Sequence, residues 1–119
     1  MTKGDVEKFE IGTGAGLVSK TAKLLDAQTA ADDGKWVPWH EFKTSSLMVE
    51  GMAATEVVKL CVTLRDDPAD NYNGIQLGSD ITQDGVVAIT GPWSFIKARK
   101  TTAAGSPGSV SVYLHGVAP

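Results

Sequence analysis

Residues 55–65 read TEVVKLCVTLR, and this run limits the fold more than any other in the chain. Val58, Leu60, Val62 and Leu64 fall on one side of a period-two repeat; Lys59, Cys61, Thr63 and Arg65 fall on the other, with Val57 at the entry. Strict alternation of apolar and polar residues, rich in β-branched side chains, specifies a half-buried β-strand. A helix is excluded, because these apolar positions would spread around its cylinder and the β-branched residues would crowd the turns.

The same alternation recurs along the chain. Residues 109–116 place Val110, Val112 and Leu114 against Ser111, Tyr113 and His115, and residues 44–52 place Leu47 and Val49 against Met48 and Glu50. Residues 92–101 put Ile96 and Ala98 on one face and Trp93, Phe95, Lys97 and Arg99 on the other. Shorter strands are expected at 74–78 and 86–90, and a strand is favoured over a helical turn at 17–25. Residues 35–42 are aromatic, but Pro38 confines that segment to a sheet edge or a bend. Asp32-Asp33-Gly34, the 66–74 stretch, Asp84-Gly85, Gly91-Pro92 and 105–108 supply turns between the runs. Short strands spaced by roughly ten residues, with no helical stretch long enough for crossovers, predict an all-β fold. The expected architecture is an antiparallel β-sandwich, a jelly roll of about eight strands.

The chain of 119 residues suits one domain, divided here into an N-terminal arm, residues 1–16, and a β-sandwich domain, residues 17–119. The arm has only Val6, Phe9 and Ile11 as large apolar residues, followed by three glycines on alternate positions. It reads as a flexible terminus, or as an arm whose Phe9 and Ile11 order on a neighbouring subunit.

Composition removes several function classes. The net charge of −3 argues against a dedicated nucleic-acid binder, which needs a basic excess. The single cysteine, Cys61, leaves no intramolecular disulfide and no Cys-rich zinc site. No apolar run reaches the ~18 residues of a membrane span, and Met-Thr-Lys-Gly-Asp does not read as a signal peptide. Neither a membrane nor a nucleic-acid partner is expected.

Chemical motifs are equally sparse. Residues 12–16, Gly-Thr-Gly-Ala-Gly, lack the strand, the helix and the glycine spacing of a nucleotide loop. The acidic 66–73 loop offers oxygen ligands for calcium, yet Asp and Asn are also what a long surface turn requires. His40 and His115 stand apart in sequence, and a Cys61–His115 dyad has no supporting context. No catalytic residue, cofactor or metal is expected, and the protein is read as a non-enzyme.

Charge and aromatic placement point instead to contact surfaces. Residues 65–90 carry Arg65 against Asp66, Asp67, Asp70, Asp80 and Asp84, whereas residues 91–119 carry Lys97, Arg99 and Lys100 and no acid. Complementary patches of this kind could set head-to-tail register between copies. Trp93 and Phe95 share a strand face with Lys97 and Arg99, and Trp36 and Trp39 flank the proline edge. Large rings beside cations suit an interface. Phe9, Ile11, Trp36, Trp39, Trp93, Phe95, Lys97 and Arg99 are therefore the candidate interface residues. A carbohydrate-binding module stacking sugars on exposed Trp36 and Trp39 is the competing expectation.

Residues 91–116, GPWSFIKARKTTAAGSPGSVSVYLHG, resemble a pattern in small tailed-bacteriophage virion proteins. In that pattern a Gly-Pro-Trp strand with an aromatic, Ile and basic residues precedes a Gly/Ser loop and a last strand of alternating Val. Leu24-Leu25-Asp26-Ala27, the loop before Trp36, and the strands at 47–50 and 57–64 extend the resemblance over about residues 15–117. It departs from the pattern at Lys97-Ala98-Arg99 and in the acidic loop. The resemblance implies a jelly-roll or β-sandwich virion component: a capsid decoration or cement protein, a head-fibre base or a tail accessory. Many such proteins are trimers. A homotrimer bound to the major capsid protein or other virion proteins, bridging capsid subunits in the virion, is the expectation it implies.

Overall fold

The computed structural model describes residues 6–11 and 17–118. Nine strands follow in order: β1 Val6–Ile11, β2 Leu17–Gln28, β3 Val37–Pro38, β4 Thr44–Glu50, β5 Val57–Thr63, β6 Ile75–Gln76, β7 Gly85–Thr90, β8 Phe95–Thr102 and β9 Val110–Ala118. They form a five-stranded sheet ordered β1-β2-β9-β4-β7 and a four-stranded sheet ordered β3-β8-β5-β6, paired antiparallel throughout. Counting from β2, the eight later strands lie in the orders 1-8-3-6 and 2-7-4-5, which is the jelly-roll arrangement. The fold is thus the expected antiparallel β-sandwich, with β1 added at one edge. Among the described residues no helix is long and apolar enough to cross a membrane.

The core follows from the alternation. Leu47 and Val49 of β4, Val58, Leu60 and Val62 of β5, Ile96 and Ala98 of β8, and Val110, Val112 and Leu114 of β9 all point between the sheets and are buried. Ala22, Leu24 and Leu25 of β2 join them, and β2 takes two register shifts against β9 that bring adjacent Leu24 and Leu25 inward. β3 is an edge strand carrying Pro38, as a proline without a backbone donor requires.

Two local expectations change. Leu64 continues the alternation of β5 in sequence, but the strand ends at Thr63, whose Oγ1 accepts the Arg65 N–H at 3.2 Å; Leu64 is left exposed. Within the expected N-terminal arm, Val6–Ile11 pairs with β2, Phe9 opposite Ser19 and Ile11 opposite Leu17. The rest of that arm, and the side chains of Phe9 and Ile11, lie outside the described residues.

Candidate interaction surface

The expected aromatic-cationic face lies on the outer side of the smaller sheet, where Phe95, Lys97 and Arg99 of β8 register with Thr63, Cys61 and Lys59 of β5. The acidic loop folds over it. Lys97 is fully buried beneath the loop, and its Nζ donates to Asp70 O at 3.0 Å, Tyr72 O at 2.9 Å and the Asn73 side-chain oxygen at 3.0 Å. The ammonium also lies 4.7 Å from the Trp36 ring centroid. The Trp36 indole N–H donates to Ala69 O and Tyr72 O, and the Arg65 guanidinium lies 3.7 Å from the Tyr72 ring centroid. Burial pushes the Lys97 pKa down, against the neighbouring acids and three acceptors that hold its charge. Lys97 thus takes up two backbone carbonyls and the Asn73 side-chain oxygen of the acidic loop, and the carboxylates of Asp66, Asp67 and Asp70 are not among its acceptors.

This placement corrects several candidate interface residues. Lys97 and Trp36 bind the loop of their own chain and offer almost no surface to a partner. Trp39 is buried between the sheets, its ring centroid 4.8 Å from Phe42 and 5.1 Å from Lys20 Nζ, with its N–H donated to Ser45 Oγ at 2.8 Å. A sugar-stacking platform built on Trp36 and Trp39 is excluded by the same burial. Trp93 is half-buried against the core and donates its N–H to Thr90 O, folding back over the turn between β7 and β8. Arg99 is half-buried and pairs with Asp33 at 3.1 Å. Of the eight, Trp36 and Lys97 are brought together, and Phe95 pairs with Pro38 across the β3–β8 ladder.

The structure adds a buried pair that sequence reasoning missed. Lys100 and Glu56 meet at 2.7 Å with no exposed side-chain surface on either. Lys100 Nζ also donates to Gln28 O, Thr29 O and Gly108 O. Glu56 accepts backbone N–H bonds from Ala53, Ala104 and Gly108. Burial alone would raise the Glu56 pKa, but the Lys100 ammonium and the three N–H donors outweigh it and hold the carboxyl at about 2. The pair ties the end of β2, the β4–β5 turn and the β8–β9 loop together at one end of the sandwich.

The residues weighed for catalysis do not converge. His115 is exposed on β9, hydrogen-bonded to Thr21 Oγ1 at 2.7 Å, and His40 is exposed elsewhere, in the turn after β3. Cys61 is buried on β5, where burial pushes its thiol pKa up. Among the described residues no three His, Cys, Asp or Glu come together to hold a metal ion. Large apolar side chains are exposed at Leu64 beside the smaller sheet and Ile75 on it, and at Met48, Val86, Val87 and Val117 on the larger one. Register aligns Tyr113, Met48 and Val86 across β9, β4 and β7, with Met48 40% and Val86 71% exposed.

These features define a jelly-roll β-sandwich whose strand-face charges are largely satisfied internally and whose larger sheet leaves Met48, Val86, Val87 and Val117 exposed. The sequence matches no protein-family model and no curated protein. Among solved structures, the chain is similar to the SPBc2 prophage-derived protein YomS: TM-score 0.65 and 13% identity, covering 92% of this chain and 99% of that one. At that identity the likeness is one of fold. A cupin-superfamily protein from Desulfitobacterium hafniense aligns over 100% of this chain and 83% of its own, at 4% identity and a TM-score of 0.39, too low to carry a structural argument.

Proposed function

We propose that this chain is a structural virion protein of a tailed phage, acting as a capsid decoration or cement protein that binds neighbouring capsid subunits in many copies. The observation that supports the reading is the combination of an internally tied sandwich with exposed Met48, Val86, Val87 and Val117 on its larger sheet, and no convergent reactive groups among the described residues. A decoration protein requires stability and repeated weak contacts, which become effective through avidity on a symmetric shell. The prophage origin of YomS, the same fold in a phage-derived protein, points the same way. The mechanism is burial of apolar surface across the joint between subunits. Each well-packed joint of this kind removes on the order of 1,200–2,000 Å² from water.

Antibody-gold labelling of purified particles tests the reading. Label on the head is expected. Label confined to the tail would replace the decoration role by that of a tail or head-fibre accessory, and absence from the particle would overturn the virion reading altogether.

A further inference from the structure

Among the described residues the two sheets leave four strand edges free: β1 and β7 in the larger, β3 and β6 in the smaller. Free edges recruit other strands, and native chains blunt them by shortness, proline or charge. β3 and β6 are two residues each, and β3 contains Pro38. β1, VEKFEI, carries Glu7, Lys8 and Glu10. β7 has none of these devices: it is six residues long, reads GVVAIT, and residues 85–96 contain no charged side chain. Val86 is 71% and Val87 40% exposed on it. The sandwich is also open at this edge, where a cleft of about 350 Å³ has Leu60, Leu77, Ile81, Val86 and Val87 on its apolar side and polar residues of the 78–84 loop, Asp80 and Asp84 among them, on its polar side.

We propose that β7 is a self-association edge, at which β7 of a second copy adds antiparallel and joins the two five-stranded sheets into one. The occupant follows from symmetry and charge. Antiparallel pairing of a strand with itself is a two-fold contact, in which each surface meets its own copy. Pairing with β4 fixes Val87 and Ile89 on the inner face, opposite Leu47 and Ser45, and Val86 and Ala88 on the outer. Directly opposed residues must share a face, so the two-fold axis passes through a residue, Val87 or Ala88, and not between two. Both registers set Gly, Val, Ala, Ile and Thr against one another, and neither brings like charges together. The nearest charge, Asp84, turns its carboxylate onto the Gly51 and Met52 N–H groups at 3.1 and 2.9 Å. The second copy's inner-face residues then project over the mouth of the cleft and cover apolar surface that the monomer leaves wet.

The contact is modest in size. A six-residue strand is roughly 20 Å long, too short to bury by itself the ~800 Å² per partner of a standard interface. The dimer is therefore concentration-dependent. This two-fold contact stands in place of the trimer that the sequence resemblance implies, and it holds wherever the protein acts.

Sedimentation equilibrium on the purified full chain, from micromolar to millimolar protein, is the test. A monomer–dimer equilibrium is expected. Val86→Lys with Ala88→Lys, both at exposed outer-face positions, should raise its dissociation constant at least about tenfold by crowding four ammonium groups at the joint. Its thermal midpoint at low concentration should stay at the wild-type value, showing that the fold is intact. Val117→Lys, on the same outer face but two strands from the edge, should leave the dimer unchanged. A monomer at all concentrations, a trimer, or a dimer broken by Val117→Lys and not by the edge variant would each overturn the proposal. A β7 dimer that binds no particle would sink only the virion reading, and particle binding by a strict monomer only this one.

Discussion

Glu56→Gln isolates the electrostatic part of the buried pair, because the side chain keeps its shape and loses its charge. Lys100 would retain Gln28 O, Thr29 O and Gly108 O, which are dipoles and not a counter-ion. The amide NH2 would in addition face a donor, whichever way it turned, since one carboxylate oxygen accepts from Ala53 and Gly108 and the other from Lys100 and Ala104. Removing one partner of a buried pair costs about 3–5 kcal/mol. At about 2.1 cal/mol/K of unfolding entropy per residue, 119 residues give roughly 250 cal/mol/K, so Tm falls by roughly 12–20 °C. Scanning calorimetry at neutral pH measures this directly. Glu56→Leu with Lys100→Met removes both charges but leaves the Ala53, Ala104 and Gly108 N–H groups and the Gln28, Thr29 and Gly108 carbonyls without their side-chain partners, so it should not restore the wild-type Tm.

The pH dependence supplies an independent check. The Glu56 carboxyl goes from an ordinary value of 4.5 unfolded to about 2 folded. A depressed carboxyl contributes stability that is complete above its unfolded pKa and disappears as pH falls through the folded one. The contribution is roughly 3 kcal/mol at neutral pH. The stability gap between wild type and Glu56→Gln should therefore hold down to about pH 4.5 and close toward pH 2, where about half of the folded wild-type Glu56 is itself protonated. A gap under ~1 kcal/mol at pH 7, or one that persists undiminished at pH 2, would show that the Glu56 charge does not stabilise the fold.

Three further outcomes are expected. Trp39→Ala removes the ring packed on Phe42 and Lys20 and should cost about 3–5 kcal/mol in urea unfolding, unlike the ~0.5 kcal/mol of an exposed position. Gly74→Ala should loosen the acidic loop and destabilise by at least about 1 kcal/mol, because Gly74 has φ +61° and an added Cβ would lie 2.6 Å from Val62 O and 2.8 Å from the Trp36 ring; a red-shifted tryptophan emission would report the wetting of Trp36. Millimolar calcium should leave the wild-type Tm unmoved, since among the described residues no three acidic side chains converge to hold a metal ion, and a rise of several degrees would show a cation site in the acidic loop.

The sheets were legible because alternation is a local property: β5 and β9 show it in full, and Pro38 announces its edge without reference to anything distant. The end of β5 was not. Leu64 keeps the phase of Leu60 and Val62, and the side-chain bond from Thr63 that stops the strand has no period. The cations misled for a different reason. Lysine is almost never fully buried, so Lys97 beside aromatic residues reads as surface until a loop that starts elsewhere is seen to cover it. A usable signal did exist for the other pair. Glu56, one residue ahead of β5, is in phase with Val58 and Leu60, and Lys100 of β8 is in phase with Ile96 and Ala98, so alternation directs two opposite charges to the buried side.

That internal use of charge bears on how the molecule meets others. The positive excess of residues 91–119 offered a complement to the acidic 65–90 segment of a second copy, but Lys97 and Lys100 are buried and Arg99 holds Asp33. On the acidic side, Asp80 holds Lys59, and Asp84 caps two backbone N–H groups. Head-to-tail attraction between such segments has lost most of the charges it needs, and exposed pairs of this kind contribute at most about 1 kcal/mol each. The proposed association would then rest on the exposed Met48, Val86, Val87 and Val117 and on the free edge of β7, where stabilisation scales with area and ladder hydrogen bonds rather than with long-range attraction. Contacts of that type are slow to find and weak one at a time. They become decisive where many copies are held side by side, the condition that a particle surface supplies.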